Sequence, residues 1–292
     1  MSQVNREYKD RLFTFIFGRE ENREWTLSLY NAVNGSNYTD ASAIQITTIK
    51  DIIYMGMHND VSFIIANELN LYEQQSSYNP NMPVRQFLYA AKLIEQYLVP
   101  YQKQLYWTAL VKIPAPKLIV FYNGKSAKAD ETILKLSDAY FDGTKGDIEA
   151  TVRMLNINYG RNKDLADACK PLQEYAWIVD KIRTYAKQMP IEEAIDTTID
   201  EMPNSFLLKL FLLKHKGEVK GMLFTEYNEV EHEEFVRTME RNEGRAEGKT
   251  EANVEALVNL MHKLCIPFEK AAEILNIPKT EYDIYQKAIA QI

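Results

Sequence analysis

The sequence predicts an α/β protein in which a mixed central sheet is flanked by helices and followed by a helical C-terminal region. Three observations carry this expectation. β-branched and aromatic runs recur at 44–54, 61–66 and 117–121, between amphipathic stretches of helical period. The runs at 61–66 and 70–76 are close enough to form a hairpin, whereas a helical stretch at 84–98 separates them from the run at 117–121. A crossover of that length implies parallel pairing, so the sheet should be mixed. From Lys163 onward the strand signals vanish.

Taken in order, residues 5–17 (NREYKDRLFTFIF) read as an amphipathic helix with Tyr8, Leu12, Phe15 and Ile16 on one face, ended by Gly18. Residues 20–33 form a second helix with Trp25, Leu29, Ala32 and Val33 as its apolar face, and Asn34-Gly35 supplies a left-handed cap. The run at 44–54 (IQITTIKDIIY) is a strand. Residues 57–77 read as two short strands, 61–66 and 70–76, joined by a turn at Asn67-Glu68-Leu69-Asn70. A loop at 79–83 leads to the helix at 84–98, with Phe87, Leu88, Ala91, Ile94 and Leu98 as its buried positions. The near-continuous apolar run KLIVF at 117–121 is the pattern of a strand covered on both faces, and Tyr122-Asn123-Gly124 turns the chain after it. Residues 133–139 and 150–157 are further strands, and 156–160 (NINYG) is a hydrogen-bonding loop of structural role. Helices at 165–189, 191–201 and 206–224 are punctuated by Pro190 and Pro203. The charge-rich stretch 226–255 reads as a solvated helix or helical linker. Short helices broken at Pro267 and Pro278 follow, best suited to a packing or dimerising hairpin. The expected organisation is a core at 1–165, a helical extension packed on or leading from it at 166–250, and a small helical hairpin at 251–292.

Composition excludes several classes. With 46% hydrophobic and 26% charged residues, the 292-residue chain is composed like a globular domain. No apolar run approaches the roughly 20 residues of a membrane span, and the polar start MSQVNREYKD has no signal-peptide core. These features predict a cytoplasmic protein with no membrane partner. Cys169 and Cys265 lie far apart among helical neighbours and read as buried free thiols. There is no GxxxxGK[ST], GxGxxG, CxxC, GxSxG or HExxH pattern, and no organic cofactor is expected.

The chemistry concentrates in MHNDVSFIIANELNLYEQQSS. Asp60 opens the first strand, and Glu73 and Gln75, two apart on the second, share one face. Strict pairing about the predicted turn sets Asp60 opposite Ser77, with Gln75 and then Glu73 further along the same face. A bulge would bring the acids closer, and a one-residue slip would turn Asp60 to the other face. Two carboxylates converging at a strand mouth suit a hard divalent cation.

This run resembles the core hairpin of the PD-(D/E)XK nuclease superfamily, which presents an Asp and then (D/E)-x-K on the next strand. More narrowly, IIYMGMHNDVSFIIANELNLYEQQSSYNPNMPVR is similar to the Rpn family (recombination-promoting nuclease, or PD-(D/E)XK nuclease family transposase). YKDRLFTFIFG, KLIVFYNG, LNINYGRN and FTEYNEVE extend the resemblance over about residues 5 to 235. It implies a restriction-endonuclease-like core, a metal-dependent DNA endonuclease and a connection with recombination or mobile elements. It also implies a site in which Asp60 and Glu73, helped by the backbone carbonyl of Gln74, hold Mg²⁺, with Mn²⁺ able to substitute. Asp10, or less well Glu7, would add an acid from the first helix, the residues' own reading as a solvated helix face standing as the alternative. The pattern's Lys is Gln75 here. Gln75 is neutral and cannot act as a base near pH 7, so it can only orient water or phosphate, and the proton must leave to water or a substrate phosphate.

Arg85, Gln86 and Tyr89, on the first turns of the helix at 84–98, either orient DNA or the attacking water or form a solvated first turn. Lys9, Lys112, Lys117, Lys125 and Lys128 could line a groove, although they form no cluster. The partner expected is DNA, and a homodimer is compatible with the sequence but not required by it. The competing reading is a nuclease fold without catalysis that binds nucleic acid or protein. It is favoured by Gln75 and by the formal charge of −7, as the first reading is favoured by two acids flanking an apolar hairpin.

Overall fold

The computed structural model describes residues 11–47, 60–264, 266–278 and 282–289. Helices α1 (Leu12–Phe17) and α2 (Arg23–Asn34) precede a strand β1 (Gln45–Ile46), and the remainder of the strand expected at 44–54 lies largely outside the described residues. Strands β2 (Val61–Ile65) and β3 (Glu68–Gln75) form the hairpin, and helix α3 (Met82–Leu98) follows. Strands β4 (Ala115–Tyr122), β5 (Glu131–Lys135) and β6 (Thr151–Asn156) complete one six-stranded sheet in the order β1-β2-β3-β4-β6-β5. β3, β4 and β6 are parallel neighbours and the other pairs are antiparallel. The α/β class with a mixed sheet flanked by helices is therefore the architecture of this chain, and α3 is the crossover between the parallel strands β3 and β4.

Alternation along the central strands builds two cores. On one face Phe63, Tyr72 and Phe121 pack with Phe13 of α1 and with Tyr175 of α5 (Lys170–Tyr185). On the other face Leu71, Val120, Val152 and Met154 pack beneath α3. Each large apolar side chain taken out of water contributes about 1.5–3 kcal/mol, so covering both faces accounts for the unbroken apolar reading of β4. Helices α4 (Lys163–Ala168), α6 (Ile191–Asp200) and α7 (Leu208–Lys214), with the start of α8 (Lys216–Leu264), contribute Leu165, Ile195, Leu208 and Val219 to the first core.

The chain divides by its contacts into residues 1–228 and 229–292. In the second unit Val254 and Leu257 of α8 pack with Phe268 and Ala271 of α9 (Phe268–Ile274) and with Tyr285 of α10 (Tyr282–Ile289). Among the described residues no helix is long and apolar enough to cross a membrane.

Two local readings are corrected. The hairpin turns on Ala66-Asn67, not on residues 67–70. Both residues have positive φ, 51° and 62°, as a two-residue type I′ turn requires. The turn is also tighter because Ile65 pairs directly with Glu68, which brings Glu68 and Leu69 into the ladder. In α3 the buried positions are Met82, Pro83, Gln86, Tyr89, Ala90 and Leu93, rather than the apolar stripe through Phe87, Leu88, Ala91, Ile94 and Leu98. Phe87, Ala91, Ile94 and Leu98 instead line a groove with Leu105, Pro116 and Leu118. On the sheet face that α3 covers, the Ile119 carbonyl of β4 accepts a hydrogen bond from Gln86, which turns that side of the helix inward.

Candidate active site

The corrected turn determines the site. With Val61 opposite Tyr72, the next step of the same register sets Asp60 opposite Glu73, not opposite Ser77. Period-two alternation then places Asp60, Glu73 and Gln75 on the α3 face of the sheet and Gln74 on the other. Both acids are buried at 4% exposure. Asp60 Oδ2 accepts the backbone N–H of Gln74 at 2.7 Å, which ties the mouth of the hairpin shut.

Glu73 sits in the more demanding environment. Arg85 of α3 donates from Nη2 to Glu73 Oε1 at 2.5 Å, while Oε2 is buried without a hydrogen-bond partner among the described residues. Burial pushes the Glu73 carboxyl up to about 7. Arg85 opposes that rise, the negative Asp60 adds to it, and Arg11 opposes it more weakly. The Gln75 amide is oriented with its oxygen toward Arg85, because this satisfies both ends. Nη1 of Arg85 donates to it at 3.1 Å, and the amide nitrogen donates to the Ser77 carbonyl at 3.2 Å.

The three helix residues separate by role. Arg85 is in the site, one-quarter exposed, with Tyr89 close enough to favour its charged form. Gln86 is fully buried and donates to the Ile119 carbonyl at 3.1 Å, so it fastens α3 to β4 instead of facing the acids. Tyr89 is buried also, so none of the three is a solvated first-turn residue. Glu7, Asp10 and Lys9 lie outside the described residues. Lys117 pairs with Glu68 at 3.2 Å and Lys128 lies over the Tyr78 ring at 3.6 Å, so these two lysines have partners away from the acids.

On the other face of β3 is a network that sequence reasoning does not find. Gln74 Nε2 donates to Asn123 Oδ1 at 2.7 Å, Asn123 Nδ2 donates to the Tyr175 hydroxyl at 3.2 Å, and Arg183 donates to the Asn123 carbonyl. Arg11, at the start of α1, donates from Nη1 to the Gln74 carbonyl at 3.1 Å. In the sequence Asn123 is legible only as a turn residue, because Gln74 lies about 50 residues before it and Tyr175 and Arg183 of α5 lie about 50 to 60 residues after it. The loop at 156–160 is hydrogen-bonded as expected. Asn158 Nδ2 donates to the Gly124 carbonyl at 3.0 Å, and Asn156 Nδ2 to the Lys128 carbonyl at 3.0 Å.

As a ligand set the mouth offers oxygen donors only: two carboxylates and the Gln74 carbonyl. Among the described residues no three Asp, Glu, His or Cys side chains gather in one place. The buried, unpartnered Oε2 of Glu73 fits a hard divalent cation, and Mg²⁺ ordinarily takes one or two carboxylates and completes its shell with water and substrate phosphate. No family model, curated protein or solved structure matches this chain.

Proposed function

We propose that this chain is a divalent-metal-dependent endonuclease hydrolysing phosphodiester bonds in DNA, built on a PD-(D/E)XK-type core of the Rpn kind. The observation that carries the reading is the pairing of Asp60 with Glu73 on one face at the buried end of the hairpin, with one Glu73 oxygen unpartnered among the described residues. A carboxylate kept in such a place is costly unless something charged completes it. The link to recombination or mobile elements rests on the resemblance of the hairpin run.

Asp60 and Glu73 would hold Mg²⁺, or Mn²⁺ in its place, with the Gln74 carbonyl as third donor. The ion would supply Lewis-acid polarisation of the phosphate and a water of lowered pKa. The chain's own residues do the remainder. Asp60, bonded to the Gln74 N–H, holds the two strands at the spacing that keeps both acids on one side. Gln75 and Arg85, bonded to each other, present hydrogen-bond donors and positive charge beside the acids. A water oxygen bonds to phosphorus as the bond to the leaving sugar oxygen breaks. The water's proton passes to solvent or to a phosphate oxygen, since Gln75 cannot accept it.

The test is cleavage of supercoiled plasmid in Mg²⁺, Mn²⁺ or EDTA by wild type, Asp60→Asn and Glu73→Gln. Metal-dependent nicking is expected for wild type and a loss of at least about 100-fold in each variant. The second reading, a binding module without catalysis, is favoured by the neutral Gln75 and by the ion pair that already engages Glu73. DNA binding by a wild type that nicks in no metal would decide for it.

A further inference from the structure

The contact between Arg85 and Glu73 is half made. A guanidinium facing a carboxylate ordinarily engages both oxygens through two N–H groups. Here only Nη2 and Oε1 meet, at 2.5 Å, and among the described residues both Glu73 Oε2 and Arg85 Nε are buried without a hydrogen-bond partner. One acceptor on the acid and one donor on the base therefore remain unused a few bonds apart. Arg85 is held on its other side by a weaker neutral partner, the Gln75 amide oxygen, and it is the one-quarter exposed member of the pair.

Charge points the same way. With both acids ionised, Asp60 and Glu73 are balanced by Arg85 and by Arg11, whose Nη1 holds the Gln74 carbonyl at 3.1 Å. A divalent ion added to that set leaves an uncompensated double positive charge beside a guanidinium, in a place of low dielectric. The repulsion is relieved when the guanidinium paired with the carboxylate turns away from it to an anion. Arg11 is the poorer candidate, since its acceptor is a neutral main-chain oxygen and it has interactions beyond that one.

We infer that Arg85 is an exchangeable cation of this site: it holds Glu73 while no divalent ion is bound, is displaced from Oε1 when one binds, and then donates to the scissile phosphate in place of the lysine that Gln75 replaces. The inference rests on the nuclease reading. It makes Arg85 both a competitor of the metal and a donor to the substrate, two roles that a purely structural ion pair does not combine.

The experiment measures Mn²⁺ binding by the full-length protein without DNA, and separately single-turnover cleavage at saturating Mn²⁺, for wild type, Arg85→Met and Arg85→Lys. Arg85→Met is expected to bind Mn²⁺ about tenfold tighter, because the competing charge is gone, and to cleave about 100-fold more slowly, because the phosphate donor is gone. Arg85→Lys keeps a point charge without the fork, so it should bind Mn²⁺ like wild type and recover part of the cleavage. It also serves if Arg85→Met fails to fold. Unchanged or weaker Mn²⁺ binding by Arg85→Met, or wild-type cleavage by either variant with its metal affinity unaltered, overturns the role of Arg85 while leaving the nuclease reading in place. A wild type that nicks DNA in no metal and binds no Mn²⁺ sensitive to Glu73→Gln overturns both.

Discussion

At the scale of single residues, the site is governed by the discomfort of Glu73. Its carboxyl ionises at about 7 in the folded protein against 4.5 in the open chain, because burial outweighs the Arg85 pairing. Between those values the folded state holds a proton that the unfolded state has lost. Stability of the metal-free protein therefore falls as pH rises through this window, by roughly 1.4 kcal/mol for each pH unit crossed. Chemical denaturation in EDTA should show wild type losing stability from pH 5 to 7.5, while Glu73→Gln loses markedly less. A wild-type profile no steeper than that of the variant would contradict the assignment. Since a metal competes with the same proton, Mn²⁺ affinity should rise with pH over that interval and level off above it. Gln75 makes a second residue-scale prediction. Its amide oxygen holds Arg85, so Gln75→Ala should slow single-turnover cleavage about tenfold by loosening that guanidinium; cleavage at the wild-type rate would remove Gln75 from the site.

At the scale of elements, the hairpin and the mouth of β4 set where those residues stand. Ala66 adopts φ of 51° in the two-residue turn, a conformation that a β-branched side chain resists. Ala66→Val is expected to cost about 2 kcal/mol in thermal or chemical unfolding, whereas Ala66→Gly, free of the Cβ clash, should cost nothing. The same turn fixes the register, so Ala66→Val should also weaken Mn²⁺ binding through the displacement of Asp60 from Glu73. Gly124 constrains the other side of the mouth. A Cβ there would meet the Ser76 carbonyl and the Tyr122 ring, one residue beyond Gln75 and at the end of β4. Gly124→Ala should therefore destabilise the protein by about 1–3 kcal/mol, the usual cost of overpacking, measured as a lowered denaturation midpoint.

At the scale of the whole molecule, the two units carry separate cores. Every described residue of the site lies within residues 1–228, and the cluster of Val254, Leu257, Phe268, Ala271 and Tyr285 lies in the other unit. A chain ending at Asn228 is accordingly expected to fold cooperatively and to keep the Mn²⁺ affinity of the full protein. Loss of cooperative unfolding in that shorter chain would show that the second unit supports the first. The formal charge of −7 leaves little general attraction for DNA. Binding by this protein should depend on the metal and on the few cations near the site, and it should weaken sharply in EDTA when followed by fluorescence anisotropy.

Much of this architecture is written in local pattern. The apolar runs at 61–66 and 117–121, the helical crossover at 84–98 and the loss of strand signal after Lys163 are short-range features, and periodicity alone yields the mixed sheet flanked by helices. The pairing of Glu73 and Gln75 on one face also follows from the two-residue period of a strand. The register does not. Whether a hairpin turns on Ala66-Asn67 or on residues 67–70 depends on which inward residues meet across the strands, and the contacts of Tyr72 with Phe63 and Phe121 belong to the tighter turn. A shift of the turn moved the expected partner of Asp60 from Ser77 to Glu73. The same holds for Arg11, Asn123, Tyr175 and Arg183, which reach the hairpin from elements tens of residues away and whose roles arise only from three-dimensional packing. Gln86 and Arg85 are neighbours in the chain, yet one fastens helix to strand and the other faces an acid. Side-chain chemistry lists the candidates, but the rotation of α3 against the sheet, set by long-range burial and hydrogen bonding, decides which of them meet.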